Sequence, residues 1–127
     1  MNDEQYLAAC LEQLGRFAKE LETRTEHLPA DDSLRQLAAS FSRLADGELE
    51  LYGDGPALVS RLFTTYPDFA PTFPRDLLWF FGGDCLHFMP DSEIATYQEL
   101  DELRHEAAAR GEILDLRAAR ASLQQLQ

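Results

Sequence analysis

Two histidines of this chain each stand three residues after an acid, in Asp84-Cys85-Leu86-His87 and in Glu102-Leu103-Arg104-His105. Positions i and i+3 share a helix face, so each pair can offer a carboxylate oxygen and an imidazole nitrogen to one ion. Carboxylate-bridged di-metal bundles use two such pairs from different helices and one further Glu from each of the other two, a role open to Glu12, Glu20 or Glu48. This reading makes Asp84, His87, Glu102 and His105 ligands of a divalent metal. The same spacing has an ordinary explanation. Of the 127 residues 23 are Asp or Glu, so an acid three places before a histidine arises readily by chance. Glu102 and His105 also fall in a charged run that reads as a solvated helix face.

His87 is flanked by Leu86, Phe88 and Met89, which predicts burial; its ring would then need a partner, and Asp84 one turn back is the local acceptor. Cys85 beside this pair suggests a thiol site, but positions two apart point about 200° away from each other on a helix, so Cys85 and His87 pair only in an irregular segment. A structural polar pair is the stronger expectation. A small-molecule pocket walled by Trp79, Phe80 and Phe88 and made polar by His87 and Asp84 is a further reading.

Other motifs carry less chemistry. Tyr52-Gly53-Asp54-Gly55-Pro56 could cradle an anion ahead of a helix, but it lacks both the phosphate-loop Lys-Ser/Thr and a dinucleotide glycine fingerprint, so Asp54 reads as a turn or capping residue. The single lysine, Lys19, takes a surface position and offers no Schiff-base candidate. No catalytic residues are assigned, and no cofactor is favoured beyond the possible metal.

The elements that must hold these residues are helical. From Asp3 to about His27, Leu7, Cys10, Leu11, Leu14, Phe17, Ala18 and Leu21 recur at three- and four-residue steps, with Asp3 as N-cap and Leu28-Pro29 as the stop. Asp31, Asp32 or Ser33 caps a second helix with the stripe Leu34, Leu37, Ala38, Phe41, Leu44 and Ala45, ending near Asp46-Gly47; the short link predicts an antiparallel hairpin. A Pro- and Gly-rich middle follows, where Pro56 suits the first turn of a helix through Phe63. Thr72 can cap a helix with Pro74 near N1 that carries Leu77 to Phe81 inward; being apolar all round, it reads as the buried central helix, about 74–88. Gly82-Gly83 either ends or bends it. Phe69 and Phe73, stiffened by neighbouring prolines, pack on the bundle or form a groove or dimer face. Asp91-Ser92-Glu93-Ile94 opens another helix, with Arg104 and Arg110 complementing its dipole and Gly111 past its end. Ile113, Leu116, Ala119, Leu123 and Leu126 predict a last amphipathic helix that packs on the bundle or faces a second subunit.

These elements predict one all-α domain over 1–127, a compact bundle of five or six helices. Its 23 acids against 11 bases give a formal charge of −12, which repels phosphate backbones and anionic lipids and so argues against nucleic-acid or membrane partners. The N-terminus shows no export signal and no apolar run reaches the roughly 20 residues of a membrane helix. Cys10 and Cys85 lie far apart in apolar surroundings and read as reduced cytoplasmic thiols.

The run Phe73-Pro74-Arg75-Asp76-Leu77-Leu78-Trp79-Phe80-Phe81-Gly82-Gly83-Asp84-Cys85-Leu86-His87-Phe88-Met89-Pro90-Asp91, with Glu93 to Leu103 after it, resembles a family of small, acidic bacterial proteins of unknown function, some labelled as dehydrogenases. The chain has neither the alternating strands nor the glycine fingerprint with which a dehydrogenase usually grips its nicotinamide, so the resemblance implies a family without a mechanism. The function expected is a non-catalytic cytoplasmic interaction or regulatory protein, binding a protein partner or a second copy of itself. The alternatives are the metal-binding bundle and the pocket protein.

Overall fold

A computed structural model of the chain describes residues 2–111 and residue 119. Among these residues it is all-α, with five α-helices, two 3-10 helices and no strand. The chain divides into two compact units, Cys10–Phe88 and the two end segments Met1–Ala9 and Met89–Gln127. The first helix, α1 (Asp3–Thr25), starts in the end-segment unit and continues in the other.

Asn2, not Asp3, caps α1. Its side-chain oxygen accepts from the Gln5 amide at 2.8 Å while the Gln5 side chain accepts from the Asn2 amide at 3.1 Å, the reciprocal arrangement of a capping box. Within the Cys10–Phe88 unit α1 buries Cys10, Leu14, Phe17, Ala18, Leu21 and Thr25. Thr25 is buried without penalty because its hydroxyl donates to the Leu21 carbonyl at 2.8 Å. Leu7, counted with the stripe from sequence, is exposed. The helix stops at Thr25, before Leu28-Pro29, and the Leu28 carbonyl accepts from the Arg35 guanidinium at 2.6 Å.

α2 (Ser33–Ala45) is capped by Asp32, whose carboxylate accepts from the Leu34 amide at 2.9 Å. It ends with Gly47 at φ +83°, where the Glu48 amide reaches back to the Arg43 carbonyl at 2.9 Å and Gly47 to Leu44 at 3.2 Å. That pair of bonds satisfies carbonyls that the helix end would otherwise leave open, and glycine adopts the left-handed turn without strain. Phe17 and Phe41, equally spaced in sequence from Pro29, meet edge to face at 5.2 Å, as an antiparallel pairing requires.

α3 (Leu51–Thr65) begins five residues before the expected start and holds Pro56 inside it. The extra turn forms because the Asp54 carboxylate accepts from the Glu50 amide at 2.8 Å, occupying a donor that has no partner within the helix. A 3-10 turn, Ala70–Thr72, leads to Phe73, which is 1% exposed. The Thr72 hydroxyl donates back to the Phe69 carbonyl at 2.6 Å, so Pro74 occupies the N-cap of α4 (Arg75–Phe81) and Thr72 does not cap it. Gly82 at φ +64° and Gly83 at φ +51° break the apolar run, which resumes as a 3-10 helix, Gly83–Phe88. Leu77, Leu78 and Cys85 are fully inside, whereas Trp79, Phe80 and Phe81 are half-buried: the run is apolar all round but enclosed on one side only.

In the end-segment unit α5 (Asp91–Ala109) begins after Pro90 with Asp91 and Glu93 in its first turn and ends before Gly111 at φ +73°. Tyr97, Leu100 and Ala107 are buried. Arg104 does not serve the helix dipole as expected. Its guanidinium is ion-paired to Asp3, lies 4.8 Å over the Tyr6 ring and reaches Asp101 at 3.8 Å, leaving the side chain 10% exposed. The expected last helix, Ile113 to Leu126, falls outside the described residues apart from the helical Ala119.

Candidate interaction surface

The ring contacts of the Cys10–Phe88 unit fall into two groups, one enclosing the buried Phe73 and one reaching the exposed Tyr52. Phe73 is the hub of the first. Its ring meets Phe17 at 4.9 Å and Phe63 at 6.0 Å, both near perpendicular, and Phe41 at 6.1 Å, and Phe63 in turn stacks on Phe88 at 4.5 Å. Edge-to-face contacts of this kind add to the burial of the rings themselves.

The second set forms where α3 and α4 meet. Gly55 is buried in α3, and a methyl group built on it would fall 2.5 Å from the edge of the Phe81 ring, so a side chain there would displace that ring. Phe81 holds Phe80 at 5.3 Å, and Phe80 lies 5.6 Å from Tyr52 at a tilt of 40°. Tyr52 is 60% exposed, the most open large side chain of the apolar class among the described residues. The result is an aromatic ledge with Tyr52 at its outer edge. From sequence Asp54 reads as a turn or capping residue ahead of the helix; the signal for the ledge is the glycine three places after Tyr52, which lets an aromatic helix approach closely.

The residues singled out for chemistry lie elsewhere. His87 was expected to be buried but is 80% exposed, and Asp84 is 99% exposed, with 4.0 Å between ring nitrogen and carboxylate. The apolar neighbours misled: on the 3-10 helix Cys85 faces inward while Asp84 and His87 turn to solvent. Glu102 and His105 lie exposed on α5, in the end-segment unit. Among the described residues no group of three or more His, Cys, Asp or Glu could hold a metal ion. Phe88 is engaged by Phe63 and Phe80 by Tyr52, so these two pocket walls pack on different rings; Trp79 is half-buried on α4. Burial, followed by the Asp84 charge, pushes the Cys85 thiol from 9.0 up to about 11, so it is protonated and unreactive at neutral pH.

One polar cleft was not foreseen. Gln13 donates to the Asp76 carboxylate at 3.0 Å, and beside this link a recess of about 310 Å³ opens among Arg16, Phe17, Glu20, Thr72 and Pro74. Its charges are mixed, and Arg16 is already paired with Glu12 at 3.4 Å. Among the described residues no helix is long and apolar enough to cross a membrane.

Residues 2–127 match the family model described as PA2817-like. No curated protein and no solved structure matches the chain.

Proposed function

The chain belongs to the PA2817-like family, and we propose that it is a non-catalytic interaction module that works by docking a protein on the Tyr52–Phe80–Phe81 ledge. The observation that carries this reading is the 60% exposure of Tyr52 on a ring stack built against Gly55. Aromatic side chains with an apolar body and a polar tip are enriched at protein interfaces, where they bury much area and lose little rotamer freedom. Binding is favoured over catalysis because Cys85, the thiol next to Asp84, keeps its proton to about pH 11, and the Asp84–His87 pair stands in open solvent. Buried thiols at Cys10 and Cys85 suit a reducing compartment, which supports a cytoplasmic setting. The charge of −12 disfavours nucleic acid and anionic membranes as partners.

A photocrosslinking residue placed at position 52 in the producing cells tests the reading. We expect a discrete protein adduct, of a partner or of a second copy, that is lost when the crosslinker is moved to the exposed position 19 on α1. Equal labelling from both positions would remove the ledge from the account.

A further inference from the structure

We infer that the first turn of α3, residues 51–55, is a strap across the aromatic ledge that opens while the rest of its unit stays folded. Opening lifts Tyr52 from Phe80 and Gly55 from Phe81; its use in recognition rests on the docking role proposed for Tyr52, but the motion itself does not. Pro56 is the hinge. It has no N–H to give to the Tyr52 carbonyl four residues back, and a proline ring inside a helix crowds that carbonyl. It also disfavours helical backbone at Gly55, the residue before it. Gly53 and Gly55 lose more conformational freedom in a helix than other residues would. Little burial opposes these effects. Tyr52, Gly53 and Asp54 are exposed, and Gly55, which is buried, has no side chain. On the far side of Pro56, Val59 and Leu62 are both 0% exposed and anchor the remaining helix.

The hold on the turn is local. The Asp54 amide donates to the Glu50 carbonyl at 2.8 Å and the Asp54 carboxylate accepts from the Glu50 amide at 2.8 Å, a reciprocal pair closed within one turn. The contacts that tie the turn to α4 are the Tyr52–Phe80 rings at 5.6 Å and the close fit of Gly55 against Phe81. Segments with few buried apolar contacts and exposed backbone hydrogen bonds open locally, far below the cost of global unfolding. A proline concentrates the bending at one place, so the turn moves as a piece about residue 56. Opening uncovers the Phe80 face and the Phe81 edge and enlarges the apolar area of the ledge. The same site then has two states between which a docked protein selects.

Hydrogen exchange followed by NMR on the full chain, together with a fluorinated phenylalanine at position 52, tests the strap without any partner. The Asp54 amide should exchange about a hundredfold or more faster than that of Leu62, and the fluorine signal should report two environments in exchange. Asp54→Ala removes the carboxylate bond and should move the fluorine population toward the solvent-exposed signal, with circular dichroism showing the rest of the chain folded. Pro56→Ala gives the Tyr52 carbonyl a donor. It should slow exchange at Asp54 about tenfold or more and shift the fluorine population the other way. Protection at Asp54 equal to that at Leu62, or one fluorine environment unmoved by both substitutions, would overturn the strap. So would exchange at Asp54 unchanged by Pro56→Ala, because the weakness would then be the ordinary fraying of a helix end. Those outcomes leave the docking role to the crosslinking at position 52. An opening turn with no adduct there removes the docking role and leaves the strap standing.

Discussion

Phe73 and Tyr52 are both aromatic residues of one unit, both in contact with other rings, and they do opposite work. Phe73 is 1% exposed and held by Phe17, Phe41 and Phe63, so its ring has no surface left to offer. Tyr52 touches Phe80 on one side and water on the other. Ring contacts alone do not separate a core residue from one available for docking. The side left open does.

Four substitutions and one titration can break or sharpen that contrast. Phe73→Ala removes the hub ring and should cost about 3–5 kcal/mol in urea unfolding, enough to threaten folding altogether. A loss under about 1 kcal/mol would mean the enclosed set is not a core. The fold should also weaken with alkali. Cys85 keeps its proton in the native state to about pH 11, whereas an unfolded thiol releases it near 9.0, so between those values the unfolded chain binds fewer protons and stability falls as pH rises. A Cys85→Ala variant should flatten that decline, and at pH 8 the native thiol should react with a thiol reagent only as fast as the chain opens. Gly55→Ala gains helix propensity but drives a methyl group into the Phe81 ring, for a net loss of about 1 kcal/mol and an altered near-ultraviolet circular dichroism from the displaced ledge rings. Tyr52→Ser should change stability by no more than about 0.5 kcal/mol while weakening docking at the ledge about tenfold or more; a larger stability loss would place Tyr52 with Phe73 and dissolve the distinction.

Where the sequence was legible, the signal was local. Asp32 before a periodic apolar run and Gly47 after it mark α2 because capping and chain reversal are decided by a few adjacent residues. The start of α3 was missed because Pro56 looked like a helix beginning, while the true beginning depends on a bond between Asp54 and Glu50 that no apolar periodicity reports. His87 was misplaced for a related reason. Apolar neighbours fix the environment of a segment, but the break at Gly82 and the tighter 3-10 turn decide which side chain faces out. The ledge was hidden deeper still, since it depends on the close approach of residues 55 and 81, which are far apart in the chain. All-helical architecture and the half-regular middle were readable because they follow from periodicity and from the placement of proline and glycine.

The pairing of Arg104 with Asp3 and Tyr6 sets a timetable for synthesis. One unit is continuous, Cys10–Phe88, and every residue it needs has been made before α5 is complete. The other joins the first residues of the chain to α5, so at about 5–20 residues per second the nascent Asp3 and Tyr6 wait seconds for the guanidinium that receives them. During that interval the start of α1 is an acidic, partly apolar end with no completed unit around it, while the unit bearing the ledge can already close. An N-terminal fusion or a short deletion would therefore be felt at position 104, a hundred residues downstream, rather than at the Tyr52 ledge.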